Sequence, residues 1–133
     1  QQGALIIDDT YNANPASMRA AVDVLARQPG KRLLVMGDMG ELGENEQVLH
    51  AELGGYAKAA GLDGLYALGA LAGQAVQAYG SGASHYDTVE SLTTALLPEL
   101  APDTTVLVKG SRFMRMERVV DLLQEQKENH HVA

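Results

Sequence analysis

Short apolar runs alternate with segments of helical spacing five times along this chain, and no other feature restricts its fold as strongly. The runs are Ala4–Asp8, Arg32–Asp38, Gly64–Gly69, Ser84–Tyr86 and Thr104–Lys109. Leu33-Leu34-Val35-Met36 and Val106-Leu107-Val108 are apolar without interruption, as parallel strands covered on both faces must be. Between the runs, Met18, Ala21, Val22 and Leu25 fall at i, i+3, i+4 and i+7, one face of a helix. Asn14 is placed to cap that helix. Pro15 is placed to open it, because the first helical position needs no N–H partner. Leu49, Leu53, Tyr56, Ala57 and Ala60 make a second stripe, stopped at Gly61. Leu71, Ala75, Val76 and Tyr79 make a third. Asp87 and Glu90 have the spacing of a capping box for a fourth, running through Leu92, Ala95 and Leu96. Met116, Val119, Val120 and Leu123 form the last, with Ser111 as its expected cap. Beyond Gln124 the chain turns polar and is expected to fray, which divides it into a domain at 1–124 and a tail at 125–133.

Strands alternating with helices define the fold class. It is α/β, a Rossmann-like, doubly wound and mostly parallel sheet of five to six strands with helices on both faces. A chain of 133 residues with 46% apolar and 20% charged side chains can bury one such core. Ligands of these sheets sit beyond the carboxyl ends of the strands, near the reversal of strand order. That rule selects four loops: Asp8–Asn14, Gly37–Gly43, Gly69–Gly73 and Lys109–Arg112.

Several function classes drop out. No apolar run is long enough to span a bilayer, so no membrane insertion is expected. The start has no Met and no basic segment before an apolar one, so it does not read as a signal peptide. A strand so near the first residue points to a piece of a longer protein. The absence of cysteine removes disulfides, thiolate metal sites and Cys nucleophiles, and is compatible with the cytoplasm. A net charge of −7 argues against a nucleic-acid surface, which needs clustered Lys and Arg. His50, His85, His130 and His131 lack metal-ligand spacing and read as surface or packing residues.

Three loops have the composition of a ligand site. Asp8-Asp9-Thr10-Tyr11-Asn12-Ala13-Asn14-Pro15 gathers hydrogen-bonding side chains at a strand end facing a helix N-terminus. Such a loop suits a polar ligand such as a ribose, whose hydroxyls a carboxylate accepts. Capping explains Asn14, and turn closure explains Asp8, but neither explains Asp9, Tyr11 or Asn12. Gly37-Asp38-Met39-Gly40-Glu41-Leu42-Gly43 spaces three glycines evenly, where the backbone can approach closely. Asp38 and Glu41 read equally as solvated loop carboxylates or as ligand contacts. Lys109-Gly110-Ser111-Arg112 places two cations and a hydroxyl at the end of the fifth strand, a natural partner for a carboxylate or phosphate. Lys109 can also pair internally with Asp9 or Asp38. No Gly-Lys-Ser/Thr phosphate loop exists anywhere, so a triphosphate has no usual grip here.

Taken together, Asp8 to Pro15, then Val35 to Gly43, then Val106 to Glu117 resemble the Mur ligases. Within that family they resemble the members that add D-alanyl-D-alanine. Three motifs in order cover the chain from about Leu5 to Leu123. The first is the most specific, because sister ligases carry a different loop there. The resemblance implies a cytoplasmic, monomeric, three-domain ligase that joins D-alanyl-D-alanine to UDP-N-acetylmuramoyl-tripeptide in peptidoglycan synthesis. It uses ATP and Mg2+, by way of an acyl phosphate. This chain would be the C-terminal lid. The UDP-sugar domain and the central ATPase domain, with its phosphate loop and magnesium ligands, would lie elsewhere. Asp9, Tyr11, Asn12 and Asn14 would then face the nucleotide. Lys109, Ser111, Arg112, Asp38 and Glu41 would lie on the substrate side. No catalytic residue and no metal ligand is implied within the lid, and the isolated domain would be inactive.

A phosphoacceptor receiver domain shares the length, the five-strand pattern, the paired acids after the first strand and the Lys ending the fifth. It needs an aspartate at the end of the third strand, where this chain has Leu65-Tyr66-Ala67-Leu68-Gly69. A nicotinamide-binding module would need glycine-rich phosphate contacts after the first strand. Folylpolyglutamate synthase shares the architecture but has a different first loop.

Overall fold

The computed structural model describes the backbone of residues 3–132 and the side chains as far as residue 125. Five strands alternate with five helices. They are β1 (Leu5–Asp9), α1 (Pro15–Ala26), β2 (Lys31–Met36), α2 (Glu46–Ala59), β3 (Gly64–Leu68), α3 (Ala72–Tyr79), β4 (Ala83–Tyr86), α4 (Val89–Leu96), β5 (Thr104–Lys109) and α5 (Glu117–Val132). The strands form one sheet in the order β1-β5-β2-β3-β4, and every pairing is parallel.

Two-residue alternation along the strands sorts the core into two layers. Leu34, Met36, Leu65, Ala67 and Leu107 pack under α1, α2 and α3. Leu33, Val35, Leu68, Val106 and Val108 pack under α4 and α5. Successive residues point to opposite faces, so an unbroken apolar run is what a doubly covered strand requires. The α2–α3 contact is close because of one glycine. A Cβ on Gly54 would lie 2.1 Å from the Ala75 carbonyl oxygen, so a side chain there would force the helices apart.

The helix starts follow local chemistry. Asn14 Oδ1 accepts from Ser17 N–H at 2.8 Å, and Ser17 Oγ accepts from Asn14 N–H at 3.0 Å, with Pro15 at the first position. The fourth cap is Thr88 rather than Asp87. Its Oγ1 accepts from Ser91 N–H at 3.0 Å. Thr88 is the residue with extended backbone just before the helix, and the cap must come from that position. Ser111 does not cap α5 either. It precedes a short 3-10 turn, Arg112–Met114, with no side-chain capping bond, and α5 begins only at Glu117. Arg115, between the two, is left-handed at φ 53°. The polar stretch beyond Gln124 does not end the helix, which continues to Val132. Gln, Glu and Lys are good helix formers, so polarity there does not oppose the helix. His130 and His131 lie outside the described side chains.

Candidate functional site

The connections around β5 create the site. β1 and β2 feed helices on one face of the sheet, whereas β5, lying between them, feeds α5 on the other. The loops at their carboxyl ends therefore diverge and leave a crevice on each side of β5. Each crevice has a volume of about 590 Å³, within the range of small-molecule sites. The first is lined by Asp8 to Tyr11 from the β1 loop and by Arg112, Arg115 and Glu117. The second is lined by Tyr11 to Asn14, by Gly40 to Leu42 and by Ser111 to Phe113. Tyr11 and Arg112 belong to both. The guanidinium lies 5.0 Å from the centre of the Tyr11 ring, so the two side chains form a stacked wall between the clefts.

Lys109 ends β5 opposite Asp9 and turns inward, only 4% exposed. Its Nζ donates to the Asn12 carbonyl at 2.7 Å and pairs with Asp9 Oδ2 at 3.2 Å. The internal pairing raised from the sequence thus exists, and Asp9 is its partner. Asp9 stays 44% exposed at its side chain, so one carboxylate both anchors the lysine and faces the first cleft. Asp8 accepts from the Thr10 hydroxyl at 2.7 Å. Asn12 Oδ1 accepts from Ala13 N–H at 2.9 Å, and Asn14 caps α1, so both amide oxygens are spent on closing the loop. Tyr11 stands 72% exposed on this loop.

The substrate-side residues separate. Arg112 is exposed between the clefts, and Glu41 is exposed on the second with a left-handed backbone at φ 57°. Ser111 is buried on the wall of the second cleft, and its hydroxyl has no hydrogen-bond partner within the protein. Asp38 borders neither cleft. It is buried, and its Oδ1 accepts from Ala72 N–H at 2.7 Å, holding the start of α3. The Gly69–Gly73 loop, engaged with Asp38 in this way, contributes to neither cleft. Lys109 likewise lines neither, and it acts on the site through Asp9 and Asn12.

Strands β2 and β5 meet closely at this edge. A Cβ on Gly110 would lie 2.6 Å from Met116 Cγ and 3.2 Å from the backbone of Gly37. Thr10, Phe113, Arg115 and Glu117 also border the clefts without having been singled out from the sequence. Phe113, the chain's single Phe, is 69% exposed at the second cleft, an exposure that the sequence does not display. His50 is wholly buried and bonded at both ring nitrogens, a role hidden from the sequence because its partners are backbone groups.

Among the described residues, no group of three or more His, Asp or Glu is arranged to hold a metal ion. Of the carboxylates at the first cleft, Asp8 is engaged by Thr10 and Asp9 by Lys109. Nor is any helix among those residues long and apolar enough to cross a membrane.

The domain is of the doubly wound parallel α/β class, with paired clefts at its strand-order reversal. The model of the Mur ligase glutamate ligase domain matches residues 1–112, and the chain belongs to the Mur ligase family. It is 45% identical over 126 residues to the UDP-N-acetylmuramoyl-tripeptide–D-alanyl-D-alanine ligase of Escherichia coli strain K12, a match covering 93% of this chain and 28% of the relative. The crystal structure of the MurF ligase of Thermotoga maritima in complex with ADP superposes with a TM-score of 0.87 at 33% identity, over 98% of this chain and 30% of that one. A MurF structure from Acinetobacter baumannii gives 0.83 at 38% identity, over 90% and 27%. The chain thus spans less than a third of the length of these relatives. Family membership sets aside the receiver alternative.

Proposed function

We propose that this chain is the C-terminal lid of a ligase that joins D-alanyl-D-alanine to UDP-N-acetylmuramoyl-tripeptide at the expense of ATP. The likeness to ligases of that activity over nine-tenths of the chain supports the assignment. The observation that carries it at the site is the second cleft, which the exposed Arg112 lines together with Ser111. Its guanidinium matches the free carboxylate of a dipeptide, which it can bind with two bonds. The first cleft, with Asp9 beside Tyr11, takes the ribose and base of the nucleotide.

The phosphate loop and the Mg2+ ligands belong to a central domain outside this chain. There the tripeptide carboxylate takes the γ-phosphoryl group of ATP and releases ADP. The dipeptide amine then attacks the acyl carbon and expels phosphate. The lid's share is to close, exclude water and hold the amine in line. The reading carries with it a cytoplasmic, monomeric enzyme, and an isolated lid without activity of its own.

The test is Arg112→Ala in the full-length ligase. Losing one charge-assisted hydrogen bond costs about 1.5–3 kcal/mol, or roughly 10- to 150-fold in affinity. Steady-state kinetics should show a KM for D-alanyl-D-alanine raised by that factor, with the KM for UDP-tripeptide nearly unchanged. A defect falling on ATP or on the UDP-tripeptide would assign Arg112 a different ligand.

A further inference from the structure

His50 lies on α2, faces neither cleft and is 0% exposed. Its Nε2 is 2.9 Å from the Met39 amide nitrogen, and its Nδ1 is 2.6 Å from the Glu46 carbonyl oxygen. An amide N–H can only donate, so Nε2 accepts, and the ring hydrogen sits on Nδ1 and is given to Glu46. The peptide unit it grips is informative. Met39 N–H and the Asp38 carbonyl belong to the same planar unit, and that carbonyl accepts from Ser111 N–H at 2.9 Å. A single rigid plane is thus clamped at one edge by His50 and at the other by Ser111, which lines the second cleft.

We propose that His50 is a positioning residue, which holds Ser111 and the Gly40–Leu42 wall in place through the Asp38–Met39 peptide. Three features make the loop sensitive to this clamp. Met39 is itself buried, so its N–H has no water to turn to. Only Gly40 and Glu41 separate it from Leu42, which packs on the core. Glu41 is held at a left-handed φ of 57°, a conformation that persists only where its surroundings impose it. Without an acceptor at Nε2, the peptide can rotate to seek one. That rotation withdraws the carbonyl from Ser111 and moves Gly40, on which even a Cβ would meet the Ser111 side chain at 3.4 Å and the Phe113 ring at 3.6 Å.

The proposal rests on reading the second cleft as the dipeptide's, and the experiment separates the two. In the full-length ligase, His50→Leu should raise the KM for D-alanyl-D-alanine by about tenfold, leaving that for ATP within about twofold. His50→Gln, whose carboxamide supplies an acceptor at the ε position, should recover most of the loss. His50→Asn reaches only as far as the Glu46 carbonyl and should resemble the Leu variant. If the Leu variant does not fold, the contrast between Gln and Asn decides. A fall in kcat at unchanged KM, or equal defects in Gln and Asn, overturns the positioning role. If His50→Leu and Arg112→Ala both strike a substrate other than the dipeptide, the cleft's ligand was misassigned and the positioning role stands. If Arg112→Ala strikes the dipeptide and His50→Leu does not, the positioning role fails alone.

Discussion

Gly110 separates a buried lysine that turns inward from a buried serine that borders a cleft, and at that point the end of β5 passes within contact distance of β2. A methyl group there would meet Met116 Cγ at 2.6 Å and the Gly37 backbone at 3.2 Å. Met116 is fully buried and Gly37 is backbone, so only the methionine end can yield. Overpacking of this kind costs about 1–3 kcal/mol. Gly110→Ala should lose that much stability in urea denaturation, and it should lose less in a Met116→Ala background, where the clash is gone. A Gly110→Ala protein as stable as the parent would show that the strand ends are not packed this closely. The motif around Gly110 was legible as a cationic strand end, and that is all adjacency can reveal. Lys109, Ser111 and Arg112 look alike in the chain as polar neighbours. One turns inward to Asp9, one is buried without a partner and one is open to solvent, because each meets a different neighbour across the sheet edge.

Elements are tied together at the opposite end of the sheet by Arg32, at the start of β2. Its guanidinium donates to the Ala26 carbonyl at the end of α1 and to the Gly61 carbonyl after α2, and its Nε pairs with Asp63 at 2.9 Å. The hydrogen bond from that side chain, seconded by the Arg32 backbone N–H, holds the Asp63 carboxyl below its ordinary value of 3.8. A lowered folded value means that the ionised form favours the folded state. Its contribution is complete above about pH 4 and is lost as pH falls through the lowered value. Asp63 is partly exposed, so solvent screening keeps the effect modest. Urea denaturation at pH 5 and pH 3 should show Asp63→Asn losing less stability across that interval than the parent, and identical losses would remove the ion pair from the account. Element types were readable from periodicity, since β5 begins and ends where its apolar run does. Caps were less so. Asp87 and Ser111 have the right chemistry for capping, yet a cap is set by where the backbone leaves the extended region, one residue later at Thr88, and α5 begins only six residues past Ser111, at Glu117.

The chain supplies walls for two clefts and contains no Gly-Lys-Ser/Thr phosphate loop. Among the described residues thirty hydrophobic side chains are buried in two layers, a core of the size an independently folding domain needs. The isolated chain should therefore unfold cooperatively on heating while binding ATP weakly or not at all. Calorimetric titration showing micromolar affinity for ATP would sink the division of labour between lid and central domain. At this scale, what the sequence by itself determined was the layered α/β class, because hydrophobic period depends only on neighbouring residues and on the two faces they must cover. It also marked the loops after β1, β2 and β5, which line the two clefts, because a motif is a local object. The tertiary structure alone decided which of those loops met. Insertion of β5 between β1 and β2 brought residues 9, 11 and 112 to one edge and left the Gly69–Gly73 loop away from both clefts. It also set His50 behind a peptide that no side-chain pattern marks. Strand order is settled by the packing of whole helices against whole faces, and no stretch of chain contains that information on its own.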